Sequence, residues 1–232
     1  MEMKTIEPVP GYVFNIREGT TDEQAVIECS KTQVYRKKGK LEVEPGDAWL
    51  DLGANVGGFA VHALHCGASV YAVEPEPENF AILQANVMNN DPHELGMCRQ
   101  KAVVIGGMKE LDLYLCKGDR NKYRHTLTPI RGREKITVKC VEIDHLLAKG
   151  FNGVKMDIEG AEMEIFDNIE DWHAVKKLAF EYHFDRDRSV ENFERRMAKL
   201  REHFPNVDYP KIPEGIKEYN FYPPARIVHC YF

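Results

Sequence analysis

Apolar and polar positions along this chain follow two periods, and the changes between them mark its elements. After Pro45-Gly46 the run Ala48-Trp49-Leu50-Asp51-Leu52 is short and mostly apolar, as a buried strand is. It leads into the glycine-rich stretch Gly53-Ala54-Asn55-Val56-Gly57-Gly58. A helix is expected over 59–65. A second strand over 69–73 is stopped by Glu74-Pro75, and a second helix over 78–89 carries Phe80, Leu83 and Val87 on one stripe. Strand, helix, strand, helix predicts a parallel sheet, and right-handed crossovers put the strand ends that carry chemistry along one edge of it.

The same patterns predict strands over 102–105, 111–115, 136–141, 154–158 and 178–184. Ser189 is a good helix cap, and Val190, Phe193, Met197, Leu200 and Phe204 behind it recur at helical spacing, the mark of a helix packed on the sheet. In the tail, Phe221-Tyr222, the Pro223-Pro224 turn and the apolar run 227–232 read as a hairpin ending in a sheet strand. Residues 1–45 mix short apolar pieces with charge, and Thr21-Asp22-Glu23 is a helix start. The expected organisation is an N-terminal flap over 1–45 and one main domain over 46–232.

Composition narrows the picture. With 232 residues, 43% hydrophobic and 29% charged, the chain is ordinary globular protein of a length suited to one sizeable core. Its formal charge of −6 disfavours a nucleic-acid partner, which usually requires a clustered cationic excess. The six cysteines are scattered without a C-x-x-C pair, so neither a zinc site nor a disulfide framework is suggested. No apolar run has the length of a membrane span, and Glu and Pro stand where a signal peptide needs an apolar stretch, so a cytoplasmic protein is expected. The opening Met does not prove the natural start, and the features fit one domain of a larger polypeptide equally well.

A glycine-rich turn between a buried strand and a helix lets a ligand approach the backbone and points free helix N–H groups at it. Glu74 ends the next strand, about twenty residues on, where a carboxylate accepts bonds from ribose hydroxyls. A dinucleotide fingerprint reads G-x-G-x-x-G, but Asn55 replaces its second glycine, which disfavours a nicotinamide oxidoreductase. S-adenosylmethionine, an adenosine joined through sulfur to an amino acid, has no pyrophosphate to accommodate, and Asp51 with the 53–58 backbone suits its charged end. The cofactor-binding set expected on this basis is Asp51, Gly53, Asn55, Gly57, Gly58, Phe59, Glu74, Pro75, Asn79 and Ala102.

A second signal is Lys155-Met156-Asp157-Ile158-Glu159-Gly160-Ala161-Glu162, in which period-two geometry puts Lys155, Asp157 and Glu159 on a common side of a strand end. Together with the 51–58 stretch, and with Glu74-Pro75 followed by Asn79 and Asn86, this element resembles the FkbM methyltransferases, over roughly 49–181. The resemblance implies a Rossmann-like class I methyltransferase fold of α/β type: a mostly parallel seven-stranded sheet, helices on both faces and an antiparallel C-terminal strand. It also implies S-adenosylmethionine as cofactor and methylation of oxygen on sugars, glycans or natural products.

An alcohol attacks a sulfonium methyl poorly unless its proton is removed as the bond forms, so a positioned base is needed. Asp157 is the first choice, with Lys155 to orient the oxygen or stabilise its charge. Glu181-Tyr182-His183-Phe184-Asp185 alternates so that Glu181, His183 and Asp185 share a face, and His183 is the competing base. Asp157, Glu159, Glu181 and His183 together offer a ligand set for Mg²⁺ or Mn²⁺. The basic segment Lys117, Arg120, Lys122, Arg124, His125, Arg131 and Arg133 reads as a lid or a solvated loop, and Tyr123, Tyr219, Phe221 and Tyr222 read equally as stacking surfaces for sugar rings or as core and hairpin packing. The expected activity is O-methylation of a sugar hydroxyl in a glycan or glycosylated metabolite. RNA ribose 2′-O-methylation and non-catalytic cofactor binding are the rivals.

Overall fold

In a computed structural model, residues 2–116, 125, 132–221 and 225–232 are described. The chain opens with β1 (Met3–Ile6) and β2 (Phe14–Arg17), a small antiparallel pair, then α1 (Asp22–Ile27) and a π-helical turn over Glu28–Thr32. The core alternation follows: β3 (Ala48–Leu52), α2 (Gly58–His65), β4 (Ser69–Val73), α3 (Pro77–Asn90) and β5 (Gly96–Arg99). Next come β6 (Ala102–Val104), β7 (Glu110–Tyr114), β8 (Lys135–Glu142) and α4 (Ile143–Leu147). The chain returns to the core with β9 (Gly153–Met156), α5 (Glu162–Asn168), β10 (Lys177–His183), α6 (Val190–His203), β11 (Asn206–Asp208) and β12 (Ala225–Tyr231).

Seven strands form the main sheet in the order β11-β12-β10-β9-β3-β4-β5. The run from β10 through β5 is parallel, while β12 lies antiparallel to both β10 and β11. This is the mostly parallel Rossmann-like sheet that the sequence pattern and the resemblance imply. Alternation along β3 shows why helices cover both faces: Leu50 and Leu52 join the core beneath α4, α5 and α6, while Trp49 joins the core beneath α2 and α3. The expected helices form where their caps are. Ser189 accepts from the Asn192 N–H at 3.1 Å, and Glu76 accepts from the Asn79 N–H at 2.7 Å ahead of Pro77.

Several elements differ from the sequence expectation. The strands at 102–104, 110–114 and 135–142 form a separate three-stranded sheet, order β6-β8-β7. The main sheet instead ends beyond β4 with β5, whose Gly-Met-Cys-Arg sequence is half exposed at the sheet edge and carries no strand signature. The strand over 154–158 ends at Met156, and the tail strand begins at Ala225; its expected turn at 223–224 lies outside the described residues. Phe14, Ile16 and Val26 of the N-terminal segment pack with Val56, Val61 and Ile82, so this segment sits on α2 and α3. Among the described residues no helix is long and apolar enough to cross a membrane.

Candidate functional site

Strand order reverses between β3 and β9, and a crevice outside the C-terminal ends of such strands is where open α/β sheets bind ligands. A cavity of about 590 Å³ lies there. Gly53 leaves β3 with φ +73°, and a Cβ on it would stand 1.8 Å from the Asp157 carbonyl oxygen. Glycine is therefore what lets the turns after β3 and β9 pass each other. The Asp157 N–H donates to the Leu52 carbonyl at 3.0 Å, which fixes Asp157 at this crossing.

The wall beyond β4 is built around Glu74, a buried carboxylate. Asn55, in a left-handed conformation at φ 51°, donates its N–H to Oε2 at 2.9 Å, and the Glu76 N–H donates to Oε1 at 3.0 Å. Burial pushes the carboxyl up to about 7, against the opposing pull of these two N–H groups. The Asn55 side-chain Oδ1 is buried and accepts no hydrogen bond from the described residues.

At the end of β9, Lys155 and Asp157 part company. Lys155 is buried, with Nζ 3.2 Å from Asp51 Oδ1, a hydrogen bond of 2.7 Å to the Gly53 carbonyl, and the Tyr35 ring 5.3 Å away. Burial pulls its pKa down, but the Asp51 and Asp157 carboxylates outweigh that and hold it raised. Asp157 instead accepts from the Tyr35 hydroxyl at 2.9 Å through Oδ2, and its Oδ1 is buried without a hydrogen bond from the described residues. Tyr35 is deeply buried, and burial followed by the neighbouring Asp157 charge raises its phenol well above the usual value.

Beyond Asp157 the backbone is no longer a strand. Glu159 adopts φ 57°, and that left-handed turn, not strand alternation, brings its carboxylate toward His183. The imidazole of His183 lies with Nδ1 3.3 Å from Glu162 Oε1, and Glu162 accepts from the Ile158 and Gly160 N–H groups at 2.8 and 2.7 Å. Burial lowers the His183 pKa, but the Glu162, Asp157 and Glu159 carboxylates outweigh it and hold the ring well above its usual value. A ring held protonated is a poor proton acceptor at neutral pH. Burial and neighbouring carboxylates raise Glu159 and Glu181.

Lys155, Asp157, Glu159, Glu181 and His183 all line the one cavity, as do Gly53, Asn55, Gly58, Phe59, Glu74, Pro75, Asn79 and Ala102. Asp51 and Gly57 do not reach it; Asp51 is fully buried against Lys155. Asp185 lies in a turn past the end of β10 but still borders the cavity. Ligand atoms of Asp157, Glu159 and His183 lie within 4.8 Å of one another; Glu181 stands outside this trio. Of the basic segment, His125 and Arg133 border the cavity, while 117–124 and 126–131, with Tyr123, lie outside the described residues, as does Tyr222. Sequence reasoning missed Tyr35, Ala25 and Cys29, which reach the cavity from the N-terminal segment.

Residues 51–204 match the model of the methyltransferase FkbM domain, about two-thirds of the chain. The chain belongs to the FkbM methyltransferase family. It is similar to the 31-O-demethyl-FK506 methyltransferase FkbM of Streptomyces tacrolimicus, with 28% identity over 192 residues, covering 67% of this chain and 72% of that one. Its fold resembles that of the FkbM methyltransferase from Methylobacillus flagellatus KT, at 13% identity and TM-score 0.53, over 88% of this chain and 47% of that one. It also resembles an S-adenosylmethionine-dependent methyltransferase from Agrobacterium tumefaciens, at 12% identity and TM-score 0.53, covering 100% of this chain and 70% of that one. The protein is thus an S-adenosylmethionine-dependent methyltransferase of the FkbM type. The residues present fit that cofactor: the Asn55 Oδ1, to which no described residue donates, is an acceptor beside a carboxylate suited to a diol.

Proposed function

We propose that this FkbM-family protein methylates a hydroxyl oxygen of a sugar within a glycan or glycosylated metabolite, with Asp157 as the proton acceptor. The observation that carries the reading is the buried Asp157 Oδ1, an acceptor to which no described residue donates, at the strand end where the cofactor crevice opens. A hydroxyl bound there donates to Oδ1 and is held for proton removal as its oxygen attacks. The bound cofactor supplies an electrophilic methyl group. Glu74 would hold the ribose hydroxyls, and Asn55 with the 53–58 turn the amino-acid end. Lys155 acts through Asp51 and the Gly53 carbonyl, keeping that turn in place rather than meeting the acceptor.

Residues 1–45 serve as a flap, since Ala25, Cys29 and Tyr35 close one side of the cavity. A second cavity of about 280 Å³, lined by Val103, Val104, Ile105, Leu111 and Ile165 among others, shares Val103 and Ala161 with the first. It suits the apolar part of a glycosylated metabolite.

The test is a screen of hexopyranosides and glycosylated macrolides with S-adenosylmethionine, followed by mass spectrometry of the product. O-linked methyl on a sugar ring is the expected result, abolished in Asp157→Ala with S-adenosylhomocysteine affinity retained within about threefold. Full transfer by Asp157→Ala would overturn the base assignment, and methyl found only off the sugar would overturn the acceptor class.

A further inference from the structure

Four carboxylates surround one imidazole where β9 and β10 end. The His183 side chain is only 9% exposed. Its Nε2 faces Glu159 Oε2 at 3.7 Å, Asp157 Oδ1 at 3.9 Å and Glu181 Oε2 at 4.0 Å, beyond hydrogen-bond distance in each case. Two ligands each roughly 2.0–2.2 Å from a common ion stand roughly 3–4.4 Å apart, according to the angle between them. The three distances from Nε2 fall within that range.

Three further features prepare such a site. Glu162 Oε1 stands 3.3 Å from Nδ1, the side of the ring where a carboxylate commonly supports a metal-binding histidine, which leaves Nε2 facing the other carboxylates. Glu162 is itself held by two backbone N–H groups. Glu159 is directed at Nε2 by a left-handed backbone, a conformation that non-glycine residues adopt only at a cost in strain. Lys155, the nearest lysine along β9, is turned to Asp51 and the Gly53 carbonyl, so its charge is engaged elsewhere.

We propose that Asp157, Glu159 and His183 form a binding site for a divalent cation of the Mg²⁺ or Mn²⁺ class in the floor of the cavity. Two carboxylates with one imidazole suit a hard to borderline ion, which on binding displaces to solvent the proton that the carboxylates hold on His183 in its absence, and the three protein ligands leave positions open toward the cavity. Neighbouring oxygens of a polyhydroxyl acceptor fill such positions, which adds a means of orienting the acceptor to the methyl-transfer reading. Asp157 Oδ1 carries two lone pairs, so it can ligate the ion with one and accept from the acceptor hydroxyl with the other, and the site itself does not depend on Asp157 being the base.

The experiment is titration of the full chain, saturated with S-adenosylhomocysteine, with MnCl₂, reading free Mn²⁺ by electron paramagnetic resonance. One ion per chain is expected, with half-saturation below about 1 mM and competition by Mg²⁺. Glu159→Gln should weaken it by about tenfold or more, as should His183→Gln. Calorimetric titration with S-adenosylhomocysteine checks that the variants are folded. An undiminished free-ion signal at about 1 mM, or variants that bind Mn²⁺ like the parent, would overturn the proposal. Either result leaves the Asp157→Ala transfer test standing, so the two readings fail separately.

Discussion

The phenolic hydroxyl of Tyr35 donates a 2.9 Å hydrogen bond to Oδ2 of Asp157, joining residues 122 positions apart. Tyr35 precedes the 51–204 stretch that defines the family, so a residue outside that stretch sets the orientation of the acidic residue at the heart of its motif. Because Oδ2 is engaged, Oδ1 is the oxygen left for a new donor. Tyr35→Phe removes the donor with little change in shape. A buried hydrogen bond to a charged group contributes about 1.5–3 kcal/mol, and unfolding free energy measured in urea should fall by about that amount with an unchanged m-value. An unchanged midpoint would mean the contact is incidental.

If Glu74 holds the cofactor's ribose hydroxyls as proposed, cofactor binding should depend on pH. Its carboxyl is pushed up to about 7 by burial, while the unfolded chain holds it near 4.5. The folded state therefore binds more protons between these values. Through this group the cofactor-free protein loses stability as pH rises through that window. If the ribose hydroxyls are held by the ionised form, binding runs the other way: affinity for S-adenosylhomocysteine should fall by up to about tenfold for each pH unit below about 7. Calorimetric titrations between about pH 5.5 and 7.5 check this in the parent and in Glu74→Gln, which should bind more weakly and show a flat profile. An equally steep profile in Glu74→Gln would assign the proton to another group.

How much of this site was legible in the sequence depended on whether a feature is local. The glycine turn, Glu74 at its strand end and the Asp157 to Glu162 element are contiguous patterns, and each lines or braces the cavity. Short or edge elements left little pattern: β5 has only four residues, half exposed, and the two-turn α5 is too short to show a stripe. Tyr35 reaches Asp157 only through the packing of the N-terminal segment on α2 and α3, which no spacing along the chain encodes. The ion pair that holds Lys155 is hidden for the same reason. Alternation correctly puts it beside Asp157, but its actual partner, Asp51, stands directly opposite it in the β3 to β9 register. Those two strands become neighbours only when the chain crosses back over the sheet.

That pairing leads to a prediction about Lys155 that separates bracing from contact with the acceptor. Asp51 is wholly shielded from solvent and stands 3.2 Å from Lys155 Nζ, so Lys155→Met strands a buried carboxylate and also removes a donor from the Gly53 carbonyl. Breaking a buried pair in this way costs about 3–5 kcal/mol, more than a pair at the surface contributes, because the remaining charge has no water to solvate it. Adding Asp51→Asn removes the stranded charge, and the double variant should recover a substantial part of that loss in urea unfolding. If Lys155 only braces the turn, S-adenosylhomocysteine affinity should recover along with stability, and transfer with it. If the double variant is stable and binds S-adenosylhomocysteine but transfers no methyl, Lys155 meets the acceptor oxygen directly, and the bracing role assigned to it is incomplete.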